Sequence, residues 1–388
     1  MERRYENFVS QRRILVMADT SSFTLISESR RHRNGTSKFL SILIRLAGLT
    51  EDSKKSVRTQ ILSISFGSLI TFGTLDVWIY IVLQVKNVIL NLTVLSALAC
   101  SMITWHWMNR NRKQLSVLLK KFRGIYSSSS ENRINIIVIF ILCLPLLYSV
   151  LFTIFCNRPK EASFHGYGIK MSDPTFQIIF IFTKQWISYF IFPTFTNVVT
   201  LLYCDMCLKC SAQLNRIIQQ INHFSTEAFG PSEQINILRC VSKIDDILES
   251  VQEVFSVPSL FLIAANFLSC MYALGMFLDV VPYSEYILFI TDFLLYGGIS
   301  FTAWTFILWA AGGLPVKMDE LKKSFHKKAQ LRLIFRSTLS EQQIIREMFV
   351  KRQFSFTACD LFSYRRSTIL ALLGTLLTYA FLVFSSHH

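Results

Sequence analysis

Three ionisable residues interrupt long apolar stretches of the chain: Asp76, Lys184 and Asp292. If these stretches cross a bilayer, each charge costs about 2.5–3.5 kcal/mol near mid-membrane, so it must face protein or water. One interpretation is an ion pair, of Lys184 with Asp76 or with Asp292, that only fixes helix packing. The other is a water-filled pocket that holds a polar ligand. Aromatic residues at similar depth would form its walls: Trp78, Tyr80, Tyr148, Trp186, Tyr189 and Tyr296.

Cysteine and histidine are the other residue types that could do chemistry. Cys204, Cys207 and Cys210 form a Cys-x2-Cys-x2-Cys run that superficially resembles part of an iron–sulfur motif. Steps of three on a helix put the three thiols on one apolar face, so we predict that they pack. No two histidines stand at ligand spacing, and the sequence has no nucleophile–base arrangement, phosphate loop or metal motif. We therefore expect neither an enzyme nor a bound cofactor.

The composition indicates a membrane protein. Apolar residues make up 52% of the 388 residues and charged residues only 17%, against about a quarter in soluble domains. The net charge of +15 would suit a nucleic-acid partner. However, the basic residues lie between the apolar runs, and no basic–aromatic binding motif accompanies them. We expect a lipid bilayer as partner and no nucleic acid, and we find no signal-peptide pattern near the N-terminus.

Seven apolar runs are long enough to cross a bilayer. They are approximately 60–83, 88–108, 134–156, 176–204, 256–281, 286–312 and 367–385. With the N-terminus in the cytoplasm, the cytoplasmic segments hold 35 of the 40 Lys and Arg residues, and the outer segments hold four. This asymmetry predicts a multi-pass plasma-membrane protein with a cytoplasmic N-terminus and an extracellular C-terminus.

The segment 205–254 predicts an antiparallel helix hairpin that continues spans four and five into the cytoplasm. Its apolar residues recur in steps of three and four on both sides of a break at 227–231. Such a hairpin is either a stalk within one subunit or the place where subunits meet. The basic segment 313–366 either lies on lipid headgroups or, as we favour, packs against the hairpin. The expected fold is therefore all-α, with seven transmembrane helices and a cytoplasmic helical anchor built from extensions of spans four to seven.

The predicted organisation has four parts. They are a cytoplasmic N-terminal region (1–59), a six-helix ligand-sensing region that includes the hairpin (60–312), cytoplasmic anchor helices (313–366) and the last span with a short C-terminus (367–388). In the last span, small or hydroxylated residues recur on one helical face: Ser367, Ala371, Gly374, Thr378 and Ser385. A stripe of this kind allows close helix packing in lipid or lines a wet passage.

The residues around this span resemble the C-terminal signature of the insect gustatory receptors. The matching elements are Phe356 to Cys359, then Thr378-Tyr379 followed by the apolar residues Ala380 to Phe384. The resemblance implies a taste chemoreceptor that acts as a ligand-gated cation channel and assembles as a homo- or hetero-tetramer. It also implies a tastant pocket in the outer half of the helix bundle, which favours Asp76, Tyr148, Lys184, Trp186, Asp292 and Tyr296 as ligand-binding residues. The pore-lining residues would be Thr378, Phe381, Leu382 and Ser385.

One departure from the family pattern lies at the predicted constriction. The family continues with Gln-Phe, whereas this chain has Ser385-Ser386. Either the constriction moves inward to Phe381 or Leu382, or partner subunits supply the aromatic gate. The alternative functions are an odorant-receptor-like channel subunit and, from another class, a secondary transporter. The cytoplasmic N-terminus argues against a G-protein-coupled receptor.

Overall fold

The computed structural model describes residues 38–50, 57–82, 88–123, 131–155, 167, 173–278, 290–291, 293–335, 356–359 and 362–386. These residues belong to one compact unit, Thr36–His388. The helices are α1 (Lys38–Leu46), α2 (Val57–Val82), α3 (Val88–Arg110), α4 (Arg112–Arg123), α5 (Glu131–Phe155), α6 (Pro174–Tyr189), α7 (Thr196–His223), α8 (Pro231–Leu278), α9 (Ile299–Phe335) and α10 (Ser367–Ser386). Two π-helical turns, Phe190–Phe195 and Phe293–Gly298, precede α7 and α9, and two strands, β1 (Thr357–Ala358) and β2 (Phe362–Ser363), pair antiparallel.

Six helical tracts among the described residues are long and apolar enough to cross a membrane. They are Thr59–Ile79, Asn132–Phe155, Pro174–His223, Pro231–Leu278, Phe293–Ile334 and Ser367–Ser385. Each overlaps one of the predicted spans. The remaining predicted span, 88–108, is also helical, as part of α3, but it is not among the six. The chain thus folds as a multi-pass helical bundle, while the count of seven spans and their orientation stay predictions.

The fourth predicted span is not the continuous helix expected for 176–204. Pro193 lies in the π-helical turn Phe190–Phe195, where Phe192 has an extended backbone. A proline lacks the N–H that a helix needs and clashes with the preceding turn, so the helix breaks. Ser101 Oγ donates to the Ile191 carbonyl at 3.0 Å, and Thr196 Oγ1 donates to the Pro193 carbonyl at 2.7 Å. The Thr196 N–H also donates to the Pro193 carbonyl, so buried carbonyls at the break keep hydrogen-bond donors although the helix is interrupted.

The two apolar seams predicted for the hairpin are buried, and the hairpin is part of a wider bundle. The buried seam residues are Cys207, Cys210, Leu214, Ile217 and Ile221 on α7, and Ile237, Val241, Ile244, Leu248, Val251 and Phe255 on α8. The three cysteines of α7 pack on this face, as the spacing predicts. However, α7 packs most extensively against α9, and α8 packs most extensively against α3. The two helices therefore do not form an isolated two-helix stalk.

Helix α9 extends well beyond the predicted end of the sixth span at residue 312. Its buried residues recur in steps of three and four: Leu314, Met318, Leu321, Phe325 and Ala329. The Phe325 ring meets the Phe229 ring edge-on, with centroids 5.4 Å apart, at the connection between α7 and α8. Up to Phe335 the structure agrees with packing against the hairpin rather than lying on lipid. Residues 336–355 of the predicted anchor segment 313–366 lie outside the described residues.

Candidate functional site

Two of the predicted ligand-binding residues, Tyr148 and Tyr296, belong to one aromatic cluster. Tyr189 joins them, with its ring centroid 3.7 Å from that of Tyr148 and 4.9 Å from that of Tyr296. Phe192 and Tyr272 also contact Tyr296, at 6.0 and 6.2 Å between centroids. The cluster therefore brings together α5, α6, α8 and the two π-helical turns. It presents apolar ring faces together with phenol groups, a combination typical of sites for small organic ligands.

The charged residues of the predicted site make a different set of contacts. Lys184 Nζ of α6 lies 3.1 Å from Asp76 Oδ2 of α2, which is one of the two ion pairs that the sequence allowed. Tyr167 donates its hydroxyl to the Asp76 carboxylate, and Lys184 Nζ lies 4.3 Å from the Tyr167 ring centroid. Burial and the neighbouring Asp76 carboxylate raise the pKa of Tyr167 to about 12. The phenol therefore keeps its proton at neutral pH and remains a hydrogen-bond donor.

The Asp76–Lys184 ion pair borders a groove of about 530 Å³ between α2 and α6. The Asp76 side chain is 38% exposed and that of Lys184 is 12% exposed, so the chain does not enclose the pair completely. The groove has apolar walls that include Phe72 and Ile187. Its remaining polar lining comes from hydroxyl side chains: Ser65, Ser68, Thr183 and Ser188. An amphiphilic ligand with a charged or polar end would match this surface better than a purely apolar one.

The six predicted ligand-binding residues therefore do not form one constellation. Trp186 packs on Phe190 with ring centroids 6.0 Å apart and is 38% exposed, and it belongs to neither the aromatic cluster nor the ion pair. Asp292 lies outside the described residues. The sequence interpretation also missed Phe192 and Tyr272 as members of the cluster. Pro193 could have pointed to Phe192, because a proline that breaks a helix changes the direction in which the neighbouring side chains project.

The final helix, α10, is covered by very little of its own chain. We call an apolar stretch of 18 residues within a membrane-length tract its apolar window. In the window of α10, 6% of the residues are buried, against 83% in that of the tract Pro174–His223. Leu376 is buried, and Ile369, Leu372 and Leu373 pack partly against the core, where α10 contacts α8 and α9. All four predicted pore-lining residues are exposed: Thr378, Phe381, Leu382 and Ser385.

The stripe of small residues on α10 faces away from the chain. At 3.6 residues per turn, Leu376 lies nearly opposite Gly374, Thr378 and Ser385 around the helix. A Cβ added at Gly374 would meet no atom within 4 Å. Thr378 Oγ1 donates to the Gly374 carbonyl at 2.9 Å, and Ser385 Oγ donates to the Leu382 carbonyl at 3.0 Å. The stripe is therefore not used for packing within the described chain, and its role in a pore stays a prediction.

A small β-hairpin fastens the base of α10 to α8. We call its described residues, 356–359 and 362–364, the clasp. The amide nitrogen of Gln252 donates to the Thr357 carbonyl at 2.6 Å, and the Cys359 N–H donates to Ser256 Oγ at 3.0 Å. The Tyr364 hydroxyl donates to Ser259 Oγ at 2.6 Å. Burial raises the pKa of Tyr364 above its usual range, so this donor keeps its proton.

The clasp is anchored in the core as well as by hydrogen bonds. Phe356, Ala358 and Tyr364 are each at most 2% exposed, and the Phe356 ring lies edge-on to Tyr203. A Cβ at Gly312 of α9 would lie 3.2 Å from the Arg366 backbone nitrogen, so glycine allows this close approach. The sequence analysis did not predict these contacts. The signal was a polar residue pattern on α8, because Gln252, Ser256 and Ser259 are spaced four and three apart and share one helical face.

Comparison with known proteins identifies the fold. No protein-family model matches the chain, and no curated protein matches its sequence. Seventeen chains of solved structures match, among them the insect olfactory receptor OR5 from Machilis hrabei in complex with eugenol. The TM-score is 0.62 at 15% sequence identity, and the match covers 90% of this chain and 97% of that chain. The chain therefore has the fold of an insect olfactory receptor.

Proposed function

We propose that the chain is a subunit of a ligand-gated cation channel of the chemoreceptor kind. The observation that carries this proposal is the exposure of α10, a membrane-length helix with only 6% of its apolar window buried. Its outward stripe of small residues gains nothing from facing lipid, whereas it suits contact with other copies or a water-filled passage. The likeness in fold to an insect olfactory receptor supports the same proposal.

In this proposal four subunits surround a central pore with their α10 helices. Thr378 and Ser385 face the pore, and Phe381 or Leu382 forms the apolar constriction. The two hydroxyls donate to backbone carbonyls of their own helix. Their oxygen lone pairs therefore stay available to water around a passing cation. An apolar ring at Phe381 or Leu382 would close the pore by excluding water.

The proposed ligand region is the outer half of the bundle. A small organic ligand would contact the aromatic cluster around Tyr148, Tyr189 and Tyr296. The Asp76–Lys184 pair would interact with a polar ligand end from the groove between α2 and α6, while Trp186 and Asp292 stay further proposed members of this region. Whichever of these contacts the ligand makes, it opens the channel only if it binds the open state better than the closed one.

Helix α8 connects the proposed ligand region to the pore helix. Tyr272 contributes to the aromatic cluster, and Gln252 contributes to the clasp twenty residues earlier on the same helix. At 1.5 Å per residue these two positions are about 30 Å apart along the helix axis. A shift of α8 that accompanies ligand binding would therefore act directly on the base of α10.

The finer assignment is a gustatory rather than an odorant receptor. It rests on the C-terminal motif, Phe356 to Cys359 and Thr378 to Phe384, whereas the fold suits an odorant-receptor-like subunit equally well. The two assignments differ in the expected ligands. A gustatory receptor should respond to non-volatile tastants such as sugars or amino acids, and an odorant receptor should respond to volatile compounds.

The test is agonist-evoked current in cells that express this chain, alone or with candidate partner subunits, while G-protein signalling is blocked. Sugars, amino acids and volatile phenols such as eugenol form the compound panel. We expect a cation current that persists under the block and that is lost when the chain is omitted. A response that disappears under the block would contradict the proposal. Solute uptake without conductance would favour the secondary transporter.

A further inference from the structure

Helix α1 carries an exposed apolar stripe on the outside of the bundle. The stripe consists of Phe39, Ile42 and Leu46, each of which is about half exposed. At 3.6 residues per turn these three residues lie within about 60° of one another around the helix. Leu40 and Ile44 lie on a different side of the same helix and are buried in the core. One side of α1 therefore fixes it to the bundle, while the stripe faces outward.

The C-terminal end of α1 lies close to the point where α2 enters the membrane. Trp105 Nε1 of α3 donates to the Ala47 carbonyl, just past the end of α1, at 3.1 Å. A Cβ at Gly48 would clash with the Cα of Ser63, so the chain passes directly against α2 here. The membrane-length tract in α2 begins at Thr59, which is about 6 Å before Ser63 along the helix. The position of α1 is therefore that of a helix at the membrane boundary.

Basic side chains lie next to the stripe. Arg45 is exposed, and it lies about 90° from the centre of the stripe around α1, away from the buried side. Arg110 at the end of α3 and Lys113 at the start of α4 are exposed as well. Ser63 Oγ donates to Asn109 Oδ1 at 2.8 Å, which holds this end of α3 beside α2. A helix with adjoining apolar and basic sides matches the boundary between acyl chains and phospholipid headgroups.

We propose that α1 lies in the membrane interface and binds anionic phospholipids of the leaflet in which α2 begins. The stripe packs among the acyl chains, and Arg45 reaches the negatively charged headgroups. Contact with water instead would leave the apolar area of the stripe exposed, which is unfavourable. The helices against which α1 packs, α2 and α5, also expose apolar residues such as Ile64 and Phe140 within their membrane-length tracts. Lipid therefore covers all three helices.

The test is photolabelling of the purified full chain in phosphatidylcholine nanodiscs. Two probes, a phosphatidylserine and a phosphatidylcholine, carry the same diazirine-bearing acyl chain, and mass spectrometry locates the labelled residues. We expect both probes to label the stripe, and the phosphatidylserine probe to label it several-fold more strongly. Ile235 is an exposed apolar residue of α8, about 30 Å along the helix from the predicted start of span five. It serves as the internal control and should stay unlabelled.

A substitution separates the headgroup contact from the acyl-chain contact. Arg45→Gln should lower the ratio of phosphatidylserine to phosphatidylcholine labelling about fivefold, because one basic residue near an anionic surface contributes roughly that factor. The labelling by the phosphatidylcholine probe should persist, since the stripe is unchanged. The matched control is Arg239→Gln, which removes an exposed arginine of α8 far from α1 and should leave the ratio unchanged.

Two results would overturn the proposal. One is a stripe that neither probe labels, which would mean that protein covers it, either another segment of this chain or a second copy. The other is a labelling ratio that is close to one in the natural chain or that Arg45→Gln leaves unchanged. In that case α1 would contact lipid without selecting its charge. Size-exclusion chromatography of both variants confirms that they fold as the natural chain does, and the test requires no channel activity.

Discussion

The tract Pro174–His223 and the final helix α10 are both long and apolar enough to span a membrane, yet they differ greatly in how much of their surface the chain buries. In the first, 83% of the apolar window is buried, and in the second 6%. The first tract tolerates a broken helix, because Ser101 and Thr196 satisfy the backbone at the break. It also contains the buried ion pair of Asp205 and Lys209. The final helix has neither feature and is held mainly at its base, by the clasp.

The two regions therefore differ in how much they contribute to the packing of the single subunit. The first tract makes dense contacts and holds Tyr189 and Phe192 of the aromatic cluster in place. Helix α10 makes few contacts, so most of its surface is left for contact with lipid, water or other subunits. Substitutions in the first tract should therefore change the stability of the single subunit. Substitutions on the stripe of α10 should leave that stability alone and change assembly or conduction.

The largest expected effect is on the Asp205–Lys209 ion pair. Lys209 Nζ lies 2.6 Å from Asp205 Oδ2, with side chains 6% and 2% exposed. Lys209→Met leaves a carboxylate buried without its cation and should cost about 3–5 kcal/mol of the free energy of unfolding. The matched control is Lys317→Met, whose exposed ion pair with Glu320 should be worth about 0–1 kcal/mol. Denaturant unfolding of both purified variants measures the two losses of unfolding free energy. Equal losses would show that burial of the Asp205–Lys209 pair does not add to the stability of the first tract.

The next effect contrasts two glycines. A Cβ at Gly73 would lie 2.3 Å from Ile191 Cδ1 in the break of the first tract, whereas a Cβ at Gly374 meets open space. Gly73→Val should destabilise the subunit by about 1–3 kcal/mol through overpacking. Gly374→Val should leave the thermal unfolding midpoint unchanged and lower the assembled fraction seen by size-exclusion chromatography in detergent. A stable Gly73→Val subunit together with an unfolded Gly374→Val subunit would reverse the comparison.

A smaller effect is expected at the clasp. Tyr364→Phe removes one hydrogen bond to Ser259 while keeping the buried ring, and should cost about 1 kcal/mol of the free energy of unfolding. Because the clasp holds the base of α10, Tyr364→Phe should change the agonist concentration for half-maximal current by a larger factor than Thr153→Val does. This control also removes a single buried hydroxyl bond, to the Ser149 carbonyl, away from the clasp. Identical dose–response curves for the two variants would show that the clasp is only structural.

The smallest effect concerns pH at Tyr167. Its pKa is raised to about 12 in the folded chain from about 10 in an unfolded one. The protonated form is therefore favoured by folding, and its contribution is complete below about pH 10 and is lost as the pH rises towards 12. The difference in thermal unfolding midpoint between the natural chain and Tyr167→Phe should be constant from about pH 7 to 9. A difference that disappears within that interval would contradict the raised pKa.

The sequence predicted the features that depend on local periodicity and missed those that depend on tertiary contact. Apolar runs and seams such as Cys207 to Ile221 predicted helices and their buried faces, because helical spacing alone places these residues together. Lys184 was assigned two possible partners, and the structure pairs it with Asp76. Trp186 was expected beside Tyr148 and Tyr296 but lies outside their cluster, because spacing along a helix does not fix its rotation towards a neighbour. The clasp was missed because two-residue strands carry no periodic signal.

The central claim is that the stripe of α10 faces other copies of the chain around a pore. Oxidative cross-linking of Thr378→Cys and Leu376→Cys variants in membranes tests it most directly, since these residues lie on opposite faces of the helix. The natural chain, with exposed Cys143 and Cys240, provides the background. The account predicts covalent dimers for Thr378→Cys and only background for Leu376→Cys. Cross-linking through Leu376→Cys, or none above background through Thr378→Cys, would contradict it.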